Sequence, residues 1–155
     1  MSIRNAAKAI IVKDNKVLLN QCYMPDLGEY FALPGGGQNQ YETMEEAVVR
    51  ECLEETGYTV IPQACIALYE QIHESEAFRR QHPDYSHKIF HIFRCTLADT
   101  PRKVPTETDA WQQSSVWVDI ADVSAIPLLP ECIREHFERL AETASPVYLG
   151  TEIIS

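Results

Sequence analysis

Long apolar runs are missing from this sequence, and no segment approaches the roughly 20 residues needed to span a bilayer. The opening stretch, Met1 to Lys8, lacks the apolar core of a secretory signal. A cytoplasmic protein with no membrane partner is therefore expected. Cysteine occurs five times (Cys22, Cys52, Cys65, Cys95, Cys132), widely spaced and with no C-x-x-C pair. An odd number in that pattern argues against a disulfide framework and against a thiolate zinc site. Free thiols acting as small core hydrophobes are the expectation. Basic residues are scarce, 13 against 23 acidic ones, for a formal net charge of −10. So acidic a chain repels polyanions, which argues against a nucleic-acid polymer as partner. A phosphorylated small ligand would need that field inverted locally, and a bound cation does so. Internal repeats, low-complexity tracts and composition breaks are also absent, so residues 1–155 read as a single domain.

What is present alternates between strand and helix signals. Ala6 to Val12 and Lys16 to Tyr23 read as a hairpin turning at Asp14-Asn15. Tyr30 to Leu33 reads as a short strand running into a flexible loop, Pro34-Gly35-Gly36-Gly37. A helix follows, with Thr43 as cap, Glu46 three positions later completing a capping box, and Gly57 as its stop. Tyr58 to Ile72, Lys88 to Leu97 and Ser115 to Ile120 read as further strands. Glu74 to His87 and Asp99 to Asp109 read as long polar loops. A last helix is expected over Pro130 to Ala144, and Pro146 to Gly150 as a short extended tail. Such a mixture predicts an α/β or α+β domain.

The first helix breaks its own pattern. Met44, Ala47 and Val48 begin an apolar face, but Glu51, Glu54 and Glu55 continue it. At helical spacing these carboxylates fall within an arc of about 100°. Like charges so placed resist ionising together, and a hard divalent cation with oxygen ligands relieves that cost. The spacing thus reads as a cation platform. The alternative is a solvated acidic face, with Val49, Cys52 and Leu53 forming the buried stripe. The preceding glycines let backbone approach a ligand, although no Gly-Lys-Ser/Thr follows to make a Walker loop.

Loop and helix together, Gly36-x5-Glu42-x7-Arg50-Glu51-Cys52-x-Glu54-Glu55-x-Gly57-Tyr58, resemble the complete box of the Nudix hydrolase (MutT-like) family. All seven fixed positions match, and chance would give this about once in 10⁶ chains at average residue usage. Cys52 and Tyr58 stand where the family usually has Ile, Leu or Val. Leu33-Pro34-Gly35-Gly36 and Trp117-Val118-Asp119-Ile120 resemble flanking features of many members.

The resemblance implies an α/β/α sandwich with a mixed β-sheet. It also implies a pyrophosphohydrolase dependent on Mg²⁺ or Mn²⁺ that acts on a small nucleotide. By position, Glu51, Glu54 and Glu55 correspond to metal ligands, with the carbonyl of Gly35 completing the set. Arg50 corresponds to the residue that orients the glutamates, and its i, i+4 spacing to Glu54 agrees. Glu51, Glu54 and Arg50 are the expected catalytic residues, and Glu42 the structural one. Asn39 departs from the family, where many members have another glutamate.

The general base is open between Glu51, Glu107, Glu74 and Glu76, although for each of the three loop glutamates a solvated surface charge is the favoured reading. His87 and His91 share one strand face, as a metal pair or, the favoured reading, as satisfied or surface histidines. Trp111 and Tyr85 could stack on a base or pack against loops. Asp109 and Gln112 resemble a pattern of some members without an assignable role. The proline that many ADP-ribose hydrolases carry after the box is replaced by Glu74. Motifs of the NADH pyrophosphatases and coenzyme A hydrolases are also absent. A nucleotide sugar or ADP-ribose type of substrate is the first expectation, and a house-cleaning nucleoside triphosphatase the second. A non-catalytic nucleotide sensor and a plain acidic interaction domain are the alternatives from other classes. Many members are homodimers, and Val147-Tyr148-Leu149 could serve an interface or close the core.

Overall fold

The computed structural model describes residues 2–155. Among these residues nine strands form one mixed sheet: β1 (Arg4–Lys13), β2 (Lys16–Met24), β3 (Gly28–Ala32), β4 (Gly35–Gly37), β5 (Val60–His73), β6 (His87–Leu97), β7 (Gln112–Asp119), β8 (Leu128–Leu129) and β9 (Val147–Ile154). The spine runs β8-β3-β2-β1-β6-β5-β9, with β4 paired to β1 and β7 to β2. Three helices, α1 (Met44–Thr56), α2 (Glu76–Gln81) and α3 (Glu131–Glu142), accompany it, together with a 3₁₀ helix, Ile120–Ala125.

β1 organises the sheet. One edge runs parallel to β6 from Arg4 to Ile11, while the other pairs antiparallel with β4 over Ala6 to Lys8. It meets β2 only at the hairpin end, Val12 and Lys13. Period-two alternation then divides the core. Ala6, Ile10, Leu19 and Ile92 pack beneath Ile133, Phe137 and Leu140 of α3. Ala7, Ala9, Ile11 and Leu18 pack beneath Ala47, Val48 and Cys52 of α1. The α/β/α sandwich with a mixed sheet is thus what the chain adopts.

Three expectations need correction. The glycine run is not a flexible loop: it is β4, hydrogen-bonded to β1. A backbone without side chains can lie flat against its neighbour there. The polar stretch Glu74 to His87 contains α2, capped by the Ser75 hydroxyl and packed by His73 stacked on Phe78 at 4.0 Å. The tail does not stop at Gly150, since β9 continues to Ile154 alongside β5. Within it Leu149 packs on the core while Tyr148 is exposed. No cysteine is paired among the described residues. None of the described helices is long and apolar enough to cross a membrane.

Candidate metal and active site

Local chemistry fixes α1 at both ends. The Thr43 hydroxyl accepts from Glu46 N, the Glu46 carboxylate accepts from Thr43 N, and Gly57 (φ 77°) closes the helix in the left-handed region. Its last carbonyls then hold the Asp99–Asp109 loop. Thr106 N and Glu107 N donate to the Glu54 carbonyl at 2.9 and 3.1 Å, and Lys103 N donates to the Gly57 carbonyl at 2.8 Å. The loop is thereby folded back over the glutamates.

The carboxylates are not left in water. Glu55 is only 3% exposed and lies on the buried face of α1 with Ala47, Val48 and Cys52. This removes the solvated-face alternative for Glu55. Gly35 N donates to Glu55 Oε1 at 2.7 Å, while Oε2 is buried without any donor. Burial pushes this carboxyl up to about 8, with Asp109 adding to the rise and Lys8 opposing it. Burial also raises Glu54, against the pull of Arg50, with Glu51 and Glu107 reinforcing the rise.

Arg50 binds the assembly together. Its Nε and Nη2 donate to the two oxygens of Glu42 at 2.6 and 2.9 Å. Nη1 reaches Glu51 at 2.9 Å and Glu54 at 3.2 Å, and Nη2 reaches the Gly37 carbonyl at 2.9 Å. Gly35 (φ 135°) is required by close approach, because a Cβ there would overlap the Ala7 carbonyl, and a Cβ at Gly36 would lie 2.6 Å from the Glu51 carboxylate and displace it.

Glu51, Glu54, Glu55, Glu107 and Asp109 share one cavity of about 460 Å³. Its chemistry fits a hard cation, with several carboxylate oxygens and one of them buried without a donor. Among the described residues no three such side chains already close on a single point. Arg50 instead holds Glu51 and Glu54, so a cation must draw them together. The Gly35 carbonyl, assigned above to the metal, accepts the Lys8 ammonium at 2.8 Å.

Other candidates lie elsewhere. His91 faces Asn5 at 3.3 Å, while His87 Nε2 lies 3.5 Å from the Glu70 carboxylate without a hydrogen bond, and neither lines the glutamate cavity. Glu74 N is bonded to the end of β9, and Glu76 opens α2; neither lines the cavity. Sequence reasoning named Asp109 and Gln112 without a role. Asp109 faces Glu55, and Gln112 Nε2 donates to the Glu55 carbonyl at 3.0 Å and to Asn20 Oδ1 at 3.2 Å. Arg4 and Lys8 escaped notice, since a lone cation on a strand carries no local signal.

A mixed-sheet sandwich that presents a glutamate helix behind a glycine strand defines a recognised class of domain. The NUDIX domain family model matches residues 3–140, and the chain belongs to that family. An ADP-ribose pyrophosphatase of Methanocaldococcus jannaschii is 45% identical over 64 residues, covering 41% of this chain and 38% of that protein. The chain spans about a third of the length of the curated relatives it matches, 38% and 31%. Among solved structures, a NUDIX hydrolase from Nitrosomonas europaea superposes with TM-score 0.69 at 18% identity, covering 88% of this chain and 87% of that one. A MutT protein from Bacillus halodurans gives 0.70 at 20% identity, with 97% and 90% covered. These two likenesses establish the fold.

Proposed function

We propose that this single domain is a pyrophosphohydrolase that cleaves a nucleoside diphosphate linked to another moiety, a nucleotide sugar or ADP-ribose being favoured. The observation that carries the reading is the cavity lined by Glu51, Glu54, Glu55 and Glu107, in which one Glu55 oxygen is buried without a donor. Glu51, Glu54 and Glu55 would hold the ion, with the Gly35 carbonyl joining them once Lys8 yields. A bound Mg²⁺ or Mn²⁺ supplies charge neutralisation for the pyrophosphate and acidifies a water molecule.

The chain's own groups do the rest. Glu42 fixes Arg50, and Arg50 orients Glu51 and Glu54 towards the cavity. Glu107, held above them by the backbone of its loop, is placed to accept the proton of the attacking water; Glu51 is the other candidate. Rigid placement of these groups contributes much of the acceleration. The name of the Methanocaldococcus relative supports an ADP-ribose type of substrate.

The test is incubation with ADP-ribose, UDP-glucose, dinucleoside polyphosphates and nucleoside triphosphates, with and without Mg²⁺ or Mn²⁺, products being identified by mass spectrometry. Metal-dependent release of a nucleoside monophosphate from the diphosphate-linked compounds is expected. Preferential cleavage of triphosphates would favour a house-cleaning enzyme instead. Metal-dependent binding without turnover would favour a sensor.

A further inference from the structure

The glutamate cavity is the middle of three adjoining hollows. Arg4 and Asn39 line both it and a polar groove of about 360 Å³. Asp109 lines both it and a more apolar hollow of about 580 Å³ that contains Tyr30, Tyr69 and Phe90. The groove and the apolar hollow have no lining residue in common. Resting on the function proposed above, we infer that the polar groove is the subsite for a neutral, hydroxyl-rich group beyond the pyrophosphate, a sugar, with Tyr41 as its stacking surface and Arg4 as the phosphate contact at the junction.

Tyr41 is the first support. It sits in left-handed backbone (φ 68°) and is 96% exposed, so its ring stabilises nothing in the core. A bulky side chain is disfavoured in that conformation, and glycine or asparagine would suit the turn better. Strain retained without a packing return points to function. A flat exposed ring offers the apolar face on which the C–H side of a sugar lies.

The groove's other walls agree. Asn5, Gln38, Asn39 and Gln40 line it, and carboxamides both donate and accept hydrogen bonds, as sugar hydroxyls do. Gln38 is partly engaged, donating to the Glu42 carbonyl at 2.6 Å, and Asn5 faces His91. Beyond Arg4, a further phosphate would meet these neutral amides and the carboxylate of Asp84, partners that suit a sugar's hydroxyls better than a phosphate.

Arg4 stands where the two hollows meet. Whereas Arg50 is occupied by three carboxylates, Arg4 forms no ion pair among the described residues; its guanidinium lies over the Tyr85 ring, 5.0 Å from the centroid. It also packs against Gly37, where any Cβ would overlap it. That leaves its planar donors for a phosphate oxygen.

The experiment compares the full chain, Tyr41→Gly and Arg4→Gln, loaded with Mg²⁺, on ADP-ribose, UDP-glucose and ATP. For Tyr41→Gly, the KM for ADP-ribose and UDP-glucose should rise about tenfold while kcat and the KM for ATP hold within about twofold. The melting temperature should not fall, because glycine adopts positive φ freely. Arg4→Gln should raise KM for all three compounds. Equal effects of Tyr41→Gly on compounds with and without a sugar beyond the pyrophosphate, or none on either, would overturn the subsite. If the native chain cleaves none of the three, the proposed reaction fails and calorimetry decides the subsite. ADP-ribose binding tighter than ADP, with the difference lost in Tyr41→Gly, sustains it; equal or absent binding overturns it.

Discussion

Arg50 engages every nitrogen of its guanidinium, and its partners explain why lysine cannot replace it. The fork on Glu42 is bidentate, and both side chains are largely shielded from water, at 27% and 14% exposure. Glu42 in turn accepts from Asn39 N at 3.0 Å, so the pair also ties down the turn before α1. The same pairing lowers the Glu42 carboxyl from its ordinary value. Arg50→Lys would keep the charge but lose the fork. Chemical denaturation should show a loss of about 1–3 kcal/mol, since the pair is only partly desolvated. Turnover should drop about 10- to 100-fold as Glu51 and Glu54 lose their orienting donor. A lysine variant with native stability and turnover would show that the fork is dispensable. Sequence spacing disclosed the contact to Glu54, four residues away. The stronger contact to Glu42, eight residues away across a turn, follows from no helical spacing and was legible only as a position in the family box.

At the scale of elements, the helix that carries the glutamates was the most legible part of the chain. Its capping box, its glycine stop and the change of its apolar face into carboxylates are all short-range features, within reach of one turn. Thr43→Ala removes the cap from an exposed terminus whose side chain does not line the cavity. Thermal or urea unfolding should report a loss of about 1 kcal/mol, with kcat unchanged. A fall in kcat without a fall in stability would mean that the cap positions the site. The glycine strand was not legible, because strand signals rest on alternating or β-branched side chains and glycine carries neither. What makes β4 a strand is the complementary edge of β1, a long-range fact. Likewise α2 is only six residues long. Its polar composition resembles a loop, and its stabilising stack of His73 on Phe78 joins it to the end of β5. The Asp99–Asp109 loop was read correctly as a loop. Its role was hidden, since a free carbonyl at the end of α1, that of Glu54, brings Glu107 over the site.

Across the whole molecule, an acidic cavity sits in a chain of formal net charge −10, and the metal-free fold bears the cost. Glu55 keeps its proton up to about pH 8 when folded, whereas unfolded it titrates near its ordinary value of 4.5. The folded state therefore binds more protons between those values. Its stability is fullest below the lower value and is lost as pH rises through the upper one. Melting temperatures of metal-free protein should decline between about pH 5 and about pH 8. Glu55→Gln should flatten that decline, and Mg²⁺ should bind more tightly as pH rises through the window, because it displaces the proton. A native profile indistinguishable from that of Glu55→Gln would show that the buried carboxyl is not linked to folding. The central claim is that the glutamates of α1 gather a divalent cation, and Mn²⁺ titration followed by electron paramagnetic resonance tests it most directly. The native chain should bind Mn²⁺, and Glu54→Gln should bind it about tenfold or more weakly while keeping its fold by circular dichroism. Undiminished Mn²⁺ binding in Glu51→Gln, Glu54→Gln and Glu55→Gln alike would contradict the account.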